Sequence, residues 1–322
     1  MDRNERSGTV EQQTIRAVEW TLEAPGRLQR TVTTLPTPAA GEILVRTLIG
    51  AISPGTERGL VQGLSRAIPA DAYPYQPGYL NVVEIIDAAD RTLAGERGIA
   101  VLGHRDFALI PYHRFIRVPR GRSNDVALLG VLSADARNAI DLAAVESGED
   151  CLVLGAGILG VLTAWELCYA TKGAIRLVET NAGRRELVEA IRFPAPVDVA
   201  PDAGRRRYHT VFDCANTAAA FETAQAAARP KGSIVLIADG SQEAYVLTAD
   251  FFSKGVYLGK NDSHPDLRGF LNEYFSRTED MSTLVPAAFR EDVRFEEFPQ
   301  AYLKALLAPI GGLHGLAPRV VY

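Results

Sequence analysis

A chain of 322 residues, 47% hydrophobic and 23% charged, has the composition of a globular protein of about two domains, which excludes disordered and fibrous classes. Lys and Arg number 34 against 39 Asp and Glu, a net charge of -5, so nucleic acid is not expected as a main partner, because phosphate binding needs a basic face. Three cysteines, Cys151, Cys168 and Cys214, form no C-x-x-C pair, which argues against a disulfide framework and for a cytoplasmic setting.

Residues 1–13 are polar, have no apolar core, and read as a loose tail rather than a signal peptide. No apolar run approaches the roughly 18 residues of a membrane span. Residues 14–25 and 28–36 alternate, are rich in Thr and Val, and flank an Ala-Pro-Gly turn, so both read as strands. Another strand is expected at 42–52. The stretch 53–79 is rich in Pro and Gly and reads as loop-dominated backbone, the kind that tends to carry function. Short strands follow at 81–88, 98–103, 106–112 and 114–119, completing a β lobe of about 120 residues.

The period then changes. Residues 125–145 support one or two helices, after which strands and helices alternate. Strands are predicted at 151–157, 174–180, 209–215, 233–239 and 255–261. Helices are predicted at 158–173, 184–191 and 219–232. Such consecutive strand–helix units imply a parallel, doubly wound α/β sheet. A last helix at 295–308 and a strand at 318–322 close the chain.

Within this pattern Gly155-Ala156-Gly157-Ile158-Leu159-Gly160 follows an apolar strand and opens an amphipathic helix. That context gives the G-x-G-x-x-G spacing its meaning as a dinucleotide turn. Gly155 permits the tight turn, Gly157 lets backbone approach a pyrophosphate, and Gly160 lets helix and strand pack closely. The helix N-terminus offers free N–H groups and a positive dipole end to the phosphates. Glu179, about 20 residues on, stands where an acid holds the ribose 2′-OH, which favours NAD. Arg184 and Arg185 follow it closely and leave NADP open through a 2′-phosphate. Ala215, Asn216, Ala238 and Asp239 end the next two strands, at the edge where ribose and nicotinamide lie in open α/β folds.

These segments together resemble the medium-chain dehydrogenase/reductase superfamily, the zinc-type alcohol dehydrogenases and their kin. GAISPGTERG (50–59) resembles that family's active-site loop, PYQPGYLNVVEI (74–85) its G-H-E motif, and RPKGSIVLIADG (229–240) its late G-G-x-x-V strand. The style is that of the zinc-lacking members, bacteriochlorophyllide dehydrogenases among them, which share an S-x-G-T-E loop and an A-R-x-A helix start, here Ala136–Ala139. The resemblance implies a Rossmann domain at 131–262 and a GroES-like catalytic domain made of 1–130 and 263–322. It also implies an NAD(P)-dependent enzyme.

The family's zinc ligands are replaced. Ser53 stands where a Cys is expected, and Tyr79-Leu80 replace the His–Glu pair. Hydroxyl and phenol are poor zinc ligands, so no zinc is expected. His104 and His113 read as structural histidines. Without a Lewis acid, a hydrogen-bond donor must manage the substrate oxygen. Tyr79 is the leading candidate, with Ser53 and Thr56 as auxiliary hydroxyls. Glu57 either polarises them or forms a structural ion pair with Arg58 or Arg137. Asp135 and Arg137 are expected to open a helix under the nicotinamide, Asp135 as an N-terminal helix charge. Arg137 is a candidate for an acidic substrate or a phosphate, and His264 for the cleft. The expected activity interconverts a secondary alcohol and a ketone on a small molecule such as a sugar, cyclitol or natural-product intermediate. Reduction of an enone or quinone double bond is one alternative, and a non-catalytic dinucleotide-binding subunit is another. The expected partners are a small-molecule substrate and a second copy in a homodimer, with neither nucleic acid nor membrane.

Overall fold

The computed structural model describes residues 14–65, 68–205, 207–238, 243–277, 280–307 and 315–322. The first lobe begins with β1 (Ile15–Ala24) and β2 (Arg27–Leu35), an antiparallel hairpin. Then come β3 (Glu42–Ala51), helix α1 (Pro54–Gln62), β4 (Leu80–Ala88), β5 (Arg97–Ile99), β6 (Phe107–Pro111) and β7 (Ile116–Arg117).

Helix α1 corrects the expectation of a loop across 53–79. The turn-forming residues mark its ends instead. Pro54 sits at the first helical position, where its preset φ and missing N–H cost nothing, and Gly63 ends the helix in the left-handed region at φ 67°. Irregular backbone is confined to the stretch between α1 and β4, apart from a short 3-10 turn at Ala70–Ala72.

Helix α2 (Asn124–Leu142) is one continuous element, capped by Ser123, whose side chain accepts the Val126 N–H at 3.2 Å. Asp125, not Asp135, occupies its first turn. Asp135 and Arg137 lie more than two turns inside, so the expected helix start at those residues is overturned. Most of α2 is buried, because it packs on β4 of the first lobe as well as on the second domain.

The second domain alternates as the sequence predicts: β8 (Cys151–Leu154), α3 (Ile158–Ala170), β9 (Ile175–Val178), α4 (Ala182–Glu189), β10 (Val197–Ala200), β11 (Tyr208–Asp213), α5 (Ala218–Ala227), β12 (Ala228–Leu236), α6 (Ala249–Lys254) and β13 (Tyr257–Lys260). Its six strands are all parallel in the order β10-β9-β8-β11-β12-β13. Counting from β8 this is 3-2-1-4-5-6, the doubly wound Rossmann order, with the chain reversing direction between β8 and β11. Strand β10 was not foreseen, since four residues with an Asp in the middle carry little pattern. Helix α5 ends five residues earlier than predicted. Pro230 biases the residue before it toward extended backbone and has no amide to give a helix.

The chain then crosses α7 (Leu267–Ser276) and α8 (Leu284–Ala288) and returns to the first lobe through β14 (Asp292–Arg294), α9 (Phe298–Leu307) and β15 (Arg319–Val321). Strand β15 pairs with β3, giving a sheet ordered β14-β15-β3-β4-β5-β7, with β6 also on β3. The fold is therefore a Rossmann sheet joined to a GroES-like, mainly antiparallel β domain. Helix α3 is buried on nearly every side, which explains its apolar sequence. Its fully buried Glu166 is made tolerable by Arg277, which grips both carboxylate oxygens at 2.9 and 2.7 Å. Among the described residues no helix is long and apolar enough to cross a membrane.

Candidate active site

The glycine turn connects β8 to α3 at the point where the strand order reverses. Gly155 has φ 89°, and a Cβ there would stand 2.9 Å from the Ala215 backbone. A Cβ at Gly160 would lie 1.8 Å from the Gly155 carbonyl oxygen, so only glycine lets α3 approach the strand this closely. A Cβ at Gly157 would meet nothing within 4 Å. Packing does not explain that glycine, whereas a bound pyrophosphate would. Gly157 is also the N-cap of α3, with no side chain capping it, so Ile158 and Leu159 begin a helix end open to an anion. The residues fit a dinucleotide.

Glu179 follows β9 and is 5% exposed. Its Oε2 accepts the Ala156 N–H at 3.2 Å and faces the Arg184 guanidinium at 3.2 Å, while Oε1 accepts the Asn181 N–H at 2.8 Å. The acid is thus fastened directly to the glycine turn. Arg185 donates to the Glu179 carbonyl at 2.9 Å. Arg58, on α1 of the other domain, lies close enough to Arg184 for the two charges to act on each other. Burial and that neighbour hold the Arg58 guanidinium below its usual pKa.

Ala215 and Asn216 follow β11 beside Gly155. Their N–H groups both donate to Asp213 Oδ1, at 3.0 and 3.1 Å, and Asn216 is held in the left-handed region at φ 55°. The Asn216 side-chain oxygen accepts the Tyr245 hydroxyl at 2.8 Å. Ala238 follows β12 on the same edge of the sheet. Asp239 lies outside the described residues. Asp213, which shapes this loop, was not singled out from sequence; a buried Asp closing an apolar strand ahead of a helix cap was the available signal.

In the β lobe, Ser53 ends the approach to α1, Thr56 sits in its first turn, and Tyr79 immediately precedes β4. The fold brings the three together: the Ser53 and Thr56 hydroxyls lie close enough to the Tyr79 phenol to favour its ionised form. Burial raises the Tyr79 pKa most, and the charge of Asp135 on α2 raises it further; Ser53 and Thr56 pull the other way. The phenol therefore stays protonated well beyond its ordinary range. Asp135, expected as a helix-end charge, faces this phenol instead.

Glu57 turns away from these hydroxyls into the core of the lobe and is fully buried. Its Oε1 accepts the Ser53 N–H at 2.8 Å, and its Oε2 meets His104 Nε2 at 2.9 Å and the Tyr302 hydroxyl at 2.7 Å. Its partners are thus a histidine and a tyrosine, not the expected arginine. Arg137 is held by Asp141 at 2.8 Å and lies 3.7 Å from Glu273. His264 accepts the Asp266 N–H at 3.1 Å and packs its ring 5.4 Å from that of Phe270. Tyr302 gave no sequence signal, because an aromatic on an apolar helical stripe reads as core.

At the three zinc-ligand positions of the resemblance stand a hydroxyl, a phenol and the buried side chain of Leu80. That donor set does not fit zinc, which takes thiolate, imidazole or carboxylate. Among the described residues no group of three or more His, Cys, Asp or Glu could hold a metal ion.

A six-stranded Rossmann sheet with a glycine turn at its switch point, joined to a β domain that presents a hydroxyl cluster, defines a nicotinamide-dependent oxidoreductase. The chain belongs to the medium-chain dehydrogenase/reductase superfamily and is an NAD(P)-dependent dehydrogenase or reductase of that type. It is 31% identical over 236 residues to the 2-desacetyl-2-hydroxyethyl bacteriochlorophyllide A dehydrogenase of Cereibacter sphaeroides, covering 67% of this chain and 71% of that one. L-idonate 5-dehydrogenase of Escherichia coli has the same fold at a TM-score of 0.80 and 13% identity, over 96% of this chain and 99% of its own. So does an NADP-bound zinc-binding dehydrogenase from Sinorhizobium meliloti, described as putative, at 0.77 and 17%, over 96% and 100%. No family model matches the chain.

Proposed function

We propose that the protein interconverts a secondary alcohol and a ketone on a small molecule, with NAD as hydride partner and without zinc. The observation that carries this reading is the Tyr79 phenol with the Ser53 and Thr56 hydroxyls beside it, at the position where the resemblance expects a metal ligand. The dinucleotide, when bound, supplies the hydride acceptor or donor. Gly155, Gly157, Ile158, Leu159 and Gly160 would hold its phosphates, Glu179 its adenosine ribose, and Ala215, Asn216 and Ala238 would border its other end.

The protein's own task is the proton on the substrate oxygen. Tyr79 is neutral at ordinary pH and donates a hydrogen bond to a ketone oxygen, polarising the carbonyl. As that oxygen gains charge it takes the phenolic proton. Ser53 and Thr56 then stabilise the phenolate by donating to it, and solvent returns the proton. In the alcohol-oxidising direction the same groups run in reverse. The Cereibacter relative supports an alcohol–ketone reading, since its name describes a dehydrogenase acting where a hydroxyethyl group replaces an acetyl.

NADP is a second reading, favoured by Arg184 with Arg58 beside it, two cations suited to a 2′-phosphate. Fluorescence titration with NADH and NADPH, followed by a panel of secondary alcohols and ketones, tests the proposal. No binding of either dinucleotide at millimolar levels would sink it.

A second copy of the chain is the proposed partner. Strand β13 is the outer strand of the parallel sheet, and Tyr257 and Leu258 on it are 66% and 43% exposed. Among the described residues no strand pairs its outer edge, which is a template for another strand, and a two-fold axis lets the same strand of a second copy fill it.

A further inference from the structure

We infer that His104 and Tyr302 are positioning residues for the Tyr79 proton site, acting through Glu57 and Gly78. This inference rests on the reading of Tyr79 as the proton donor.

Ser53 and Tyr79 come from different parts of the chain, and their hydroxyls must be in register for one to donate to the other. Beneath them lies a sealed polar cluster. Glu57 and His104 have no exposed side-chain surface, and their contact is 2.9 Å. Glu57 holds the backbone of Ser53 through its N–H at 2.8 Å. His104 holds the backbone ahead of Tyr79 in two ways. Its N–H donates to the Pro77 carbonyl at 2.8 Å. Its ring also lies under Gly78, where φ is 94° and a Cβ would stand 2.6 Å from the imidazole. The Glu57–His104 contact is therefore the tie between the segment carrying Ser53 and the segment carrying Tyr79.

Tyr302 completes the tie from α9. Its hydroxyl donates to Glu57 at 2.7 Å across 245 residues of sequence, and its ring stacks on Phe298, which packs on His104 at 4.7 Å. A buried carboxylate is stable only when its oxygens are satisfied. Here three donors supply that: the Ser53 amide, His104 Nε2 and the Tyr302 hydroxyl. The pairing requires His104 to carry a proton on Nε2, which leaves the buried Nδ1 without a partner among the described residues. A buried polar atom is left unpaired as the cost of directing the other nitrogen at Glu57. Removing one donor from the carboxylate should let the Ser53 segment shift, moving its hydroxyl relative to the Tyr79 phenol, while the glycine turn is untouched.

The test is made on the full chain with tyrosine labelled at 13Cζ, the Tyr79 resonance being assigned by its loss in Tyr79→Phe. The variants are Tyr302→Phe, His104→Leu and His104→Gln, with Ile110→Ala as a core truncation in the same lobe, in a buried cluster separate from that of Tyr302 and Phe298. The Tyr79 resonance is expected to move in Tyr302→Phe and His104→Leu and to return toward its original position in His104→Gln, whose amide nitrogen can still donate to Glu57. NADH affinity, read by fluorescence, should stay within about twofold, since none of these residues touches the glycine turn. A Tyr79 resonance that stays put in folded Tyr302→Phe, or that moves as far in Ile110→Ala, overturns the inference. Should Tyr302→Phe and His104→Leu fail to fold, His104→Gln decides: an unfolded or displaced Tyr79 there also overturns it. Failure of the unaltered protein to bind NADH or NADPH would remove the proposed function while leaving the resonance result intact, so the two failures are distinguishable.

Discussion

The Cβ that alanine would place at residue 160 lands 1.8 Å from the carbonyl oxygen of Gly155, while three residues earlier, at Gly157, the same atom would meet nothing within 4 Å. One glycine is demanded by the fold and the other is left open for a ligand. Gly160→Ala is expected to disrupt the turn itself, lowering the melting temperature as well as NADH binding. Gly157→Ala is expected to fold with unchanged melting temperature and to lose most of its NADH affinity. Calorimetry with fluorescence titration separates them, and equal behaviour of the two variants would count against the cofactor assignment.

Tyr79→Phe keeps the ring and removes the proton. Turnover in ketone reduction should fall by about two to four orders of magnitude, the usual contribution of a positioned acid, with NADH affinity little changed. The pH dependence follows from the direction of the shift. Burial and Asp135 raise the Tyr79 pKa, so the protonated form, which reduction needs, persists through neutral and mildly alkaline pH. Activity is lost only as pH climbs through the raised value. Asp135→Asn removes one of the raising charges, so the alkaline loss should begin at lower pH. A pH–rate profile checks both, and a shift in the opposite sense would exclude Tyr79 as the titrating group.

The proposed function makes Glu179 and Arg184 the residues that would choose between NAD and NADP. Glu179→Ala removes the carboxylate that repels a 2′-phosphate and leaves Arg184 beside Arg58 without its acid partner. The ratio of NADPH to NADH affinity should rise. Arg184→Ala should lower that ratio. Paired titrations with both dinucleotides read the outcome, and an unchanged ratio in both variants would place the 2′ position elsewhere.

Arg277 and Glu166 tie the segment after α7 to the buried face of α3. Arg277→Met leaves the fully buried Glu166 without its bidentate partner, and such a loss costs about 3–5 kcal/mol. Denaturant unfolding should show that loss at neutral pH. The double variant Arg277→Met with Glu166→Leu should recover much of it, since an apolar pair of similar volume is tolerated in such sites.

Leu258→Lys places a charge on the exposed edge strand of the parallel sheet. If a second copy pairs there, light scattering should find the variant at half the mass of the unaltered chain, with its melting temperature lowered by the loss of assembly. Unchanged mass would move the interface off β13.

The Rossmann half was legible in advance because each of its elements is short, local and periodic. An apolar strand followed by Gly155, Gly157 and Gly160 predicts the strand–turn–helix that the fold shows, and the parallel order follows from alternation. The missed pieces share a different cause. Helix α1 reads as loop in the sequence because Pro54 and Gly63, which flank it, look the same as a turn. Asp135 reads as a helix-end charge because the period of α2 does not mark where that helix begins; its cap at Ser123 does.

What the amino-acid order determined alone was the kind of fold and the strand–turn–helix at Gly155–Gly160. These are statements about residue type at fixed spacing, carried by backbone sterics and donor chemistry. What only the tertiary structure decided was who meets whom. Glu57 is held by His104 and Tyr302, 47 and 245 residues away, and Asp135 faces Tyr79 across two elements. The physical reason is that a buried carboxylate is paired by whichever donors the packing brings within about 3 Å, and sequence spacing carries no record of that distance once the chain has folded back on itself.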